Sequence, residues 1–365
     1  TPDTVTEDTS GDSFFDKFKN KVTTKDKIVF TRQFSTLIGA GLPLSNSLRV
    51  LIEQTESKPM RRVTESILAD VEAGKSLTQA CAKFPDVFNR IYLALLKAGE
   101  SSGTLDKSLR RLADQQEKDH AMVTRIKNSL TYPAIVLAVI IAVLVFMVIA
   151  VVPQVQQLYH DLGKDLPMIT KLLVEQTNFL VNMWWLVTIV IGLVIYFVFQ
   201  FVRTDSGRHV LARIKLNIPV FKSMFWRLYN GRFARTAENL LSTGVSIQDT
   251  LAISAEAINN LIMEEEIKEV SEKVKQGKTL SASLKELDYI LPLLPQMAAI
   301  GEESGKIDEM LGKAANVYED ELDQQINTIS TLIEPIMLVI MALMVAVIIA
   351  GVLMPIYQLV SQIQK

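Results

Sequence analysis

The segment Gly99-Glu-Ser-Ser-Gly103 fits Gly-x-Ser-x-Gly, the spacing at which hydrolases expose a serine nucleophile on a strand-to-helix turn. A serine so placed needs a general base, and the whole chain holds three histidines. His120 and His209, the two in charged segments, have no comparable motif around them. The turn also occurs a second time, as Gly301-Glu-Glu-Ser-Gly305, with Glu303 where the nucleophile would stand. Its flanks read as helix on both sides, so the chemistry suggested by the spacing lacks its setting. The structural reading is a tight turn. Ser102 and Ser304 then serve as N-caps, and Asp106 and Asp308 stand in the first turn of the next helix, where the helix dipole favours a carboxylate.

Glu100 and Glu302 recur beside this turn. A carboxylate there could hold a cation, pair with an arginine or meet a partner, but one per copy is too few for a calcium site. Arg32 and Arg235 recur in the same manner, with Arg232 adding a third cation. For these the readings are a solvated helix face, a buried ion pair or a partner contact. Three histidines and the single Cys81 leave no zinc set and no internal disulfide, and Cys81 reads as a small core residue in a reducing compartment. Gly74-Lys-Ser lacks the upstream glycine of a phosphate-binding loop. No basic patch is interleaved with aromatics in the manner of a nucleic-acid surface. The chain is therefore expected to be no enzyme, to need no cofactor or metal and to bind no nucleic acid.

The elements that position these residues are written twice. Phe30–Gly41 aligns with Phe233–Gly244 at an offset of 203, as does Gly74-Lys-Ser-Leu77 with Gly277-Lys-Thr-Leu280. Gly99–Gly103 aligns with Gly301–Gly305 at an offset of 202, and Pro133 and Pro153 meet Pro335 and Pro355 at the same 202. Landmarks held in register over so long a stretch mark a duplicated unit. Phe30, Phe34, Leu37 and Ile38 recur as one buried helical face, and Gly41 and Gly244 stand where that helix must stop. Nothing reads as a strand. The fold class is all-α, with about six helices in each of two homologous bundles, the last helix of each continuing into a membrane span.

With 365 residues, 49% hydrophobic and 21% charged, the chain suits a membrane protein with large water-exposed parts. Ala134–Val152 and Ile336–Met354 are runs of 19 residues without a charge, and Leu180–Val202 is a third such run. Arg125 and Lys127 precede the first span, and Arg203, Arg208, Arg213 and Lys215 follow the second; the loop between carries only Lys164 and Lys171. The positive-inside rule then places both bundles and the N-terminus in the cytoplasm and the C-terminus outside. The expected organisation is a flexible polar tail (1–24), cytoplasmic bundle 1 (25–132), span 1 (133–153), an extracytoplasmic loop (154–179), span 2 (180–202), cytoplasmic bundle 2 (203–334), span 3 (335–355) and an extracytoplasmic tail (356–365). Pro133 and Pro335 are expected to interrupt the incoming helix at the membrane boundary and Pro153 and Pro355 to close the span, a kink at each interface aiming the long cytoplasmic helix away from the membrane normal. The two bundles differ in charge: 17 basic against 12 acidic residues over 25–132, and 15 against 20 over 203–334. Such opposite balances suit different partners, or contact between the two halves. The competing class, a subunit of a membrane transporter or channel, is disfavoured by spans without a single Asp, Glu, Lys, Arg or His.

From about Lys25 onward the chain resembles the type II secretion F family, the platform proteins of type IV pilus and type II secretion machines. The resemblance rests on the doubled Gly-Glu-x-Ser-Gly turn, Gly-Arg-Phe-Ala-Arg at Gly231–Arg235, the doubled Gly-Lys-Ser/Thr-Leu and three spans in that order. It implies a bacterial inner-membrane platform that couples a cytoplasmic secretion or pilus ATPase to insertion or extraction of pilin or pseudopilin subunits. The implied partners are that ATPase, the pilins, other inner-membrane assembly proteins, further copies of the chain and the lipid bilayer. Arg32, Arg232, Arg235, Glu100 and Glu302 are the candidate contacts. Many family members carry a further folded N-terminal segment, where this sequence has the polar tail.

Overall fold

The computed structural model describes residues 21–161, 171, 175, 179, 183–219, 221–353 and 356–357. Most of the polar tail, most of the 154–179 loop, Pro355 and residues 358–365 lie outside the described residues. Among those described there is no strand. The chain divides into two compact units, residues 1–121 with 226–319, and residues 122–225 with 320–365.

The first unit holds both copies of the bundle. The first copy is α1 (Thr24–Gly39), α2 (Leu44–Gln54), α3 (Lys58–Glu72), α4 (Leu77–Ala82), α5 (Arg90–Ser102) and the start of α6 (Leu105–Phe146). A capping box opens α1: Thr23 Oγ1 accepts from the Asp26 amide while the Asp26 carboxylate accepts from the Thr23 amide. Phe30 and Phe34 follow one turn apart on its buried face. Their rings form a tilted series with Phe88 and with Tyr92 of α5, at centroid separations of 5.6, 6.1 and 4.8 Å along the series. Gly41, at φ +81°, takes the left-handed turn that ends the element.

The second copy repeats this order as α10 (Lys222–Leu241), α11 (Ile247–Ile258), α12 (Leu261–Lys275), α13 (Leu280–Leu284), α14 (Leu293–Ser304) and α15 (Ile307–Ile348). Phe233, Leu280, Ala298, Leu311 and Ala315 are buried at the positions of Phe30, Leu77, Leu96, Leu109 and Ala113. The Phe34 position is Ala237 here, so the second core is built with less aromatic volume. Leu240 and Ile253 of the second copy belong to the first copy's hydrophobic cluster. The duplicated bundles thus share a core.

The second unit carries the rest of α6, a π-helical turn (Met147–Val151), α7 (Val152–Asp161), α8 (Trp184–Arg203), α9 (Asp205–Asn217), the end of α15 and a second π turn (Ile349–Leu353). Three helical stretches, in α6–α7, in α8 and in α15, are long and apolar enough to cross a membrane. Arg125 on α6 pairs with Asp323 on α15.

Three of the four prolines neither interrupt nor close a helix. Pro133 and Pro335 lie inside α6 and α15, each of which runs unbroken for 42 residues. Pro153 does not close its span either, since α7 continues through it to Asp161. In its place a π turn stands immediately ahead, with the Val152 amide donating to the Met147 carbonyl. Proline removes one amide and crowds the carbonyl four residues back; widening the preceding turn relieves that crowding without ending the helix. In lipid a helix that stopped would leave several more backbone groups without partners, so continuation costs less.

Candidate functional site

The doubled Gly-Glu-x-Ser-Gly turn has the same geometry in both copies. Gly103 and Gly305 each take φ +70° and end α5 and α14, and the Thr104 and Lys306 amides donate to the Gly99 and Gly301 carbonyls at 2.9 Å. Gly99 and Gly301 meet the start of the next helix so closely that a Cβ would lie 3.2 Å from Leu105 Cα and 2.6 Å from Ile307 Cα. Ser102 and Ser304 are the last residues of their helices, their hydroxyls donating back to the Ala98 and Ile300 carbonyls. They are not the N-caps the sequence suggests, because the left-handed glycine after them places the new helix two residues further on. Ser101 is exposed, within a helix rather than on a nucleophile elbow.

The glutamates of this turn cap a different helix. Glu100 Oε1 accepts from the Leu77 amide at 2.7 Å, and its Oε2 from the Thr78 amide at 3.1 Å and the Thr78 hydroxyl at 2.7 Å. Glu302 does the same for the Leu280 amide at 2.5 Å, the Ser281 amide at 3.3 Å and the Ser281 hydroxyl. The N-cap hydroxyls of Ser76 and Thr279 take the third amide. All three free amides of the first turn of α4 and of α13 are thereby satisfied, with a negative charge at the positive end of the helix.

The arginines close a second duplicated link. Arg32 on α1 donates through Nε and Nη2 to both oxygens of Glu117 on α6, each at 2.6 Å, and through Nη2 to Asp114 at 2.5 Å. Arg235 on α10 grips Glu319 on α15 in the same two-pronged manner at 2.7 and 2.8 Å, and also reaches Glu238 at 2.6 Å and Asn316 at 2.5 Å. Gly312 leaves the room Glu238 needs; a Cβ there would lie 2.8 Å from its Cδ. The copies differ in burial: the Arg235 side chain is 15% exposed and that of Arg32 35%. The hydrogen bonds it donates to Glu117 and then to Asp114 hold the Arg32 guanidinium well above its ordinary range, and Arg32 in turn holds the Glu117 carboxyl below its own. Sequence reading named the arginines but not Glu117 and Glu319. These acids stand 202 apart, at Asp114 and Asn316 spacing, and that register was the available signal.

Arg232 faces the seam between the copies. Burial pushes the Asp119 carboxyl up, the Arg232 guanidinium pulls it down and Glu319 pushes it up again. Lys118 donates to Glu319 at 2.9 Å, Asn239 to Gln115 at 2.9 Å, and Arg90 pairs with Glu256. Elsewhere, burial pushes the Cys81 thiol up to about 12, which keeps it a protonated core residue. Among the described residues, no group of three or more His, Cys, Asp or Glu side chains is arranged to hold a metal ion. Arg32, Glu100, Arg235 and Glu302 are thus each engaged within their own bundle.

A family profile described as type II secretion system (T2SS), protein F, matches residues 30–153 and again 233–355. The chain is 35% identical to the type IV pilus assembly protein PilC of Thermus thermophilus over 92% of this chain and 83% of that protein. It is 34% identical to the PilC of Pseudomonas aeruginosa over 93% of this chain and 91% of that protein. It is 33% identical to the type II secretion system protein F of Pseudomonas aeruginosa, over 98% and 88% of the two chains.

Proposed function

The chain belongs to the type II secretion system protein F family, and from that premise we propose that it is the platform of a type IV pilus or type II secretion machine, passing the motion of a cytoplasmic ATPase to pilin or pseudopilin subunits as they enter or leave a filament base. Family membership together with the three apolar helices makes it a multi-pass inner-membrane protein. In this reading both bundles and the N-terminus face the cytoplasm and the C-terminus faces outside. The chain performs no catalysis of its own, and it assembles with other inner-membrane proteins and with further copies of itself.

One observation carries the reading. In each copy the Arg–Glu link ties the first helix of the bundle to the same 42-residue helix that runs on into a span. A push on the bundle would reach its long helix through this link. A transporter would need polar groups along its spans, and these spans carry none of the ionisable types.

Deleting the gene should abolish pili or secretion, and the tagged chain should co-purify the cognate ATPase and a pilin. Retention of both filament assembly and secretion without the gene overturns the reading. Whether Arg32, Arg232, Arg235, Glu100 and Glu302 also touch the ATPase is answered by measuring melting temperature beside assembly for Arg235→Glu and Glu302→Lys. Loss of assembly at unchanged stability makes them contacts; loss of both together makes them scaffold.

A further inference from the structure

Helix α9 begins two residues after α8 ends at Arg203, with Thr204 between them. Thr204 is extended, its hydroxyl donates to the Phe201 carbonyl at 2.6 Å and accepts from the Gly207 amide at 3.1 Å, and it so caps the new helix. A Cβ on Gly207 would lie 1.8 Å from the Phe201 carbonyl oxygen, so the chain folds sharply at this point. Helix α9 therefore starts at the end of the apolar span and does not extend it. The Arg203 guanidinium lies over the Phe199 ring at 4.1 Å, the arrangement of a cation anchoring a span at its water boundary.

The exposed side of α9 carries an apolar stripe, with Ser206, His209, Arg213 and Asn217 also exposed beside it. Val210 and Ile214, one turn apart, are 46% and 47% exposed, and Ile218 and Phe221 just beyond the helix are each 38% exposed. The opposite side is covered, Ala212 and Leu216 being buried. At about 100° per residue, Arg213 falls to one side of the Val210–Ile214 stripe, and Lys215 and Arg208 fall to the other. From Arg203 to Lys222 the segment carries Arg203, Arg208, Arg213, Lys215 and Lys222 against Asp205 alone. This is the basic end of a half that is otherwise acidic.

We infer that α9 lies in the plane of an anionic lipid surface, with Val210, Ile214, Ile218 and Phe221 dipped between the acyl chains and Arg208, Arg213 and Lys215 on the headgroups. An apolar stripe with cations on both flanks of the helix is the form of an interfacial helix, and its direct continuity with α8 brings it to that surface. The sharp turn at Thr204 gives it its direction. Docking of α9 fixes the direction in which the chain leaves the membrane after α8, a role beyond the platform reading that rests only on α8 crossing the bilayer.

The test uses the full chain in nanodiscs, with Cys81→Ala and single nitroxide labels at Leu193→Cys, Arg208→Cys, Val210→Cys and Ile214→Cys. Collision with oxygen reports lipid, and collision with a nickel chelate reports water. Label 193 should favour oxygen; if it does not, the span itself is wrong and the platform reading falls with it. Given a lipid signal at 193, labels 210 and 214 should favour oxygen while 208 favours nickel. Nickel accessibility at 210 and 214 overturns the inference, and so does shielding from both reagents, which would place protein on that face. The lipid signal at 214 should be stronger in discs containing phosphatidylglycerol than in pure phosphatidylcholine. In the anionic discs Arg208→Gln, Arg213→Gln and Lys215→Gln should each shift the label population toward water, by about fivefold per charge. Indifference to headgroup charge overturns the anionic assignment.

Discussion

The two arginine links offer a comparison inside one molecule, because the same bonds are made at different depths. Arg32→Ala frees Glu117 and Asp114, whose side chains are 42% and 54% exposed and can return to water. Exposed pairs of this kind contribute about 1 kcal/mol or less. Arg235→Ala strands Glu319 and Glu238 at 26% and 24% exposure, together with the Asn316 amide oxygen. Removing one partner of a buried pair costs about 3–5 kcal/mol, and Lys118 remains at 2.9 Å to neutralise part of Glu319. The low end, about 3 kcal/mol, is therefore expected for Arg235→Ala, a difference of about 2 kcal/mol between the two sites. In a unit of this size that difference corresponds to roughly 5 °C in melting temperature. Thermal unfolding of wild type, the two single variants and Arg235→Ala with Glu319→Ala in one detergent measures it. The double variant should recover part of the loss, since no carboxylate is then stranded at position 319. Equal costs at the two sites, or a larger cost at Arg32, would refute the claim that depth sets the strength of the link.

Other perturbations follow from the same geometry. Glu302→Ala removes a three-bond cap from a helix of five residues and should cost about 2 kcal/mol, with Glu302→Gln intermediate because one amide oxygen can still accept; chemical unfolding checks both. Gly301→Ala drives a Cβ to 2.6 Å from the Ile307 backbone and should cost about 3 kcal/mol, whereas Gly305→Ala meets open space and suffers only its left-handed φ, about 1 kcal/mol. Glu266 should show in the pH profile: burial, with Asp288 and Glu269 adding repulsion, pushes its carboxyl up to about 7. Its folded state holds a proton that the unfolded chain gives up at lower pH, so stability falls as pH rises from about 4.5 to about 7. Glu266→Gln should therefore leave stability unchanged near pH 4 and raise it at pH 8 by about 1–2 kcal/mol, after discounting for its half-exposed side chain. Purified protein should hydrolyse neither ATP nor esters; turnover that disappears with Ser101→Ala would restore the nucleophile reading.

The parts of this fold that are local could be read from the chain. A run of 19 uncharged residues, a glycine that must turn left-handed and a carboxylate repeated beside it all declare themselves within a few positions. The function of that carboxylate did not, because Glu100 caps a helix that begins 23 residues earlier, at Leu77. The arginine links were further out of reach still, joining positions 85 and 84 apart. Comparing the copies would have narrowed the search, since both ends of each link keep the repeat register while the residues around them drift. Where a local rule failed, a longer-range term overrode it. Pro133 and Pro335 break helices in water, yet here the neighbouring turns and the need to keep backbone groups paired carry α6 and α15 through them. Ser102 has the type and position of an N-cap, and the φ of Gly103 assigns it to the helix behind.

The opposite charges of the two copies acquire a physical meaning from the pairs that join them. Arg90 meets Glu256, Lys118 meets Glu319 and Arg125 meets Asp323; in every one of these the cation comes from the first copy and the acid from the second. A duplicated unit with identical surfaces would be free to pair with the same copy of another chain as readily as with its own partner. Once one copy is basic and the other acidic, pairing like with like sets cation against cation or acid against acid. The Arg90 and Arg125 bridges are exposed and contribute little to stability by themselves, whereas Lys118 meets the more deeply set Glu319. Their common direction acts on choice of partner and register, since a mismatched pairing loses all three attractions and gains repulsions in their place. Reversing one exposed bridge, as in Arg90→Glu, should therefore cost little stability. Reversing all three cations should shift the chain toward self-association, which sedimentation in detergent would detect. A triple reversal that stays in the wild-type state of association would show that the shared core around Leu240 and Ile253 suffices to select the partner, and that the charge asymmetry serves another contact.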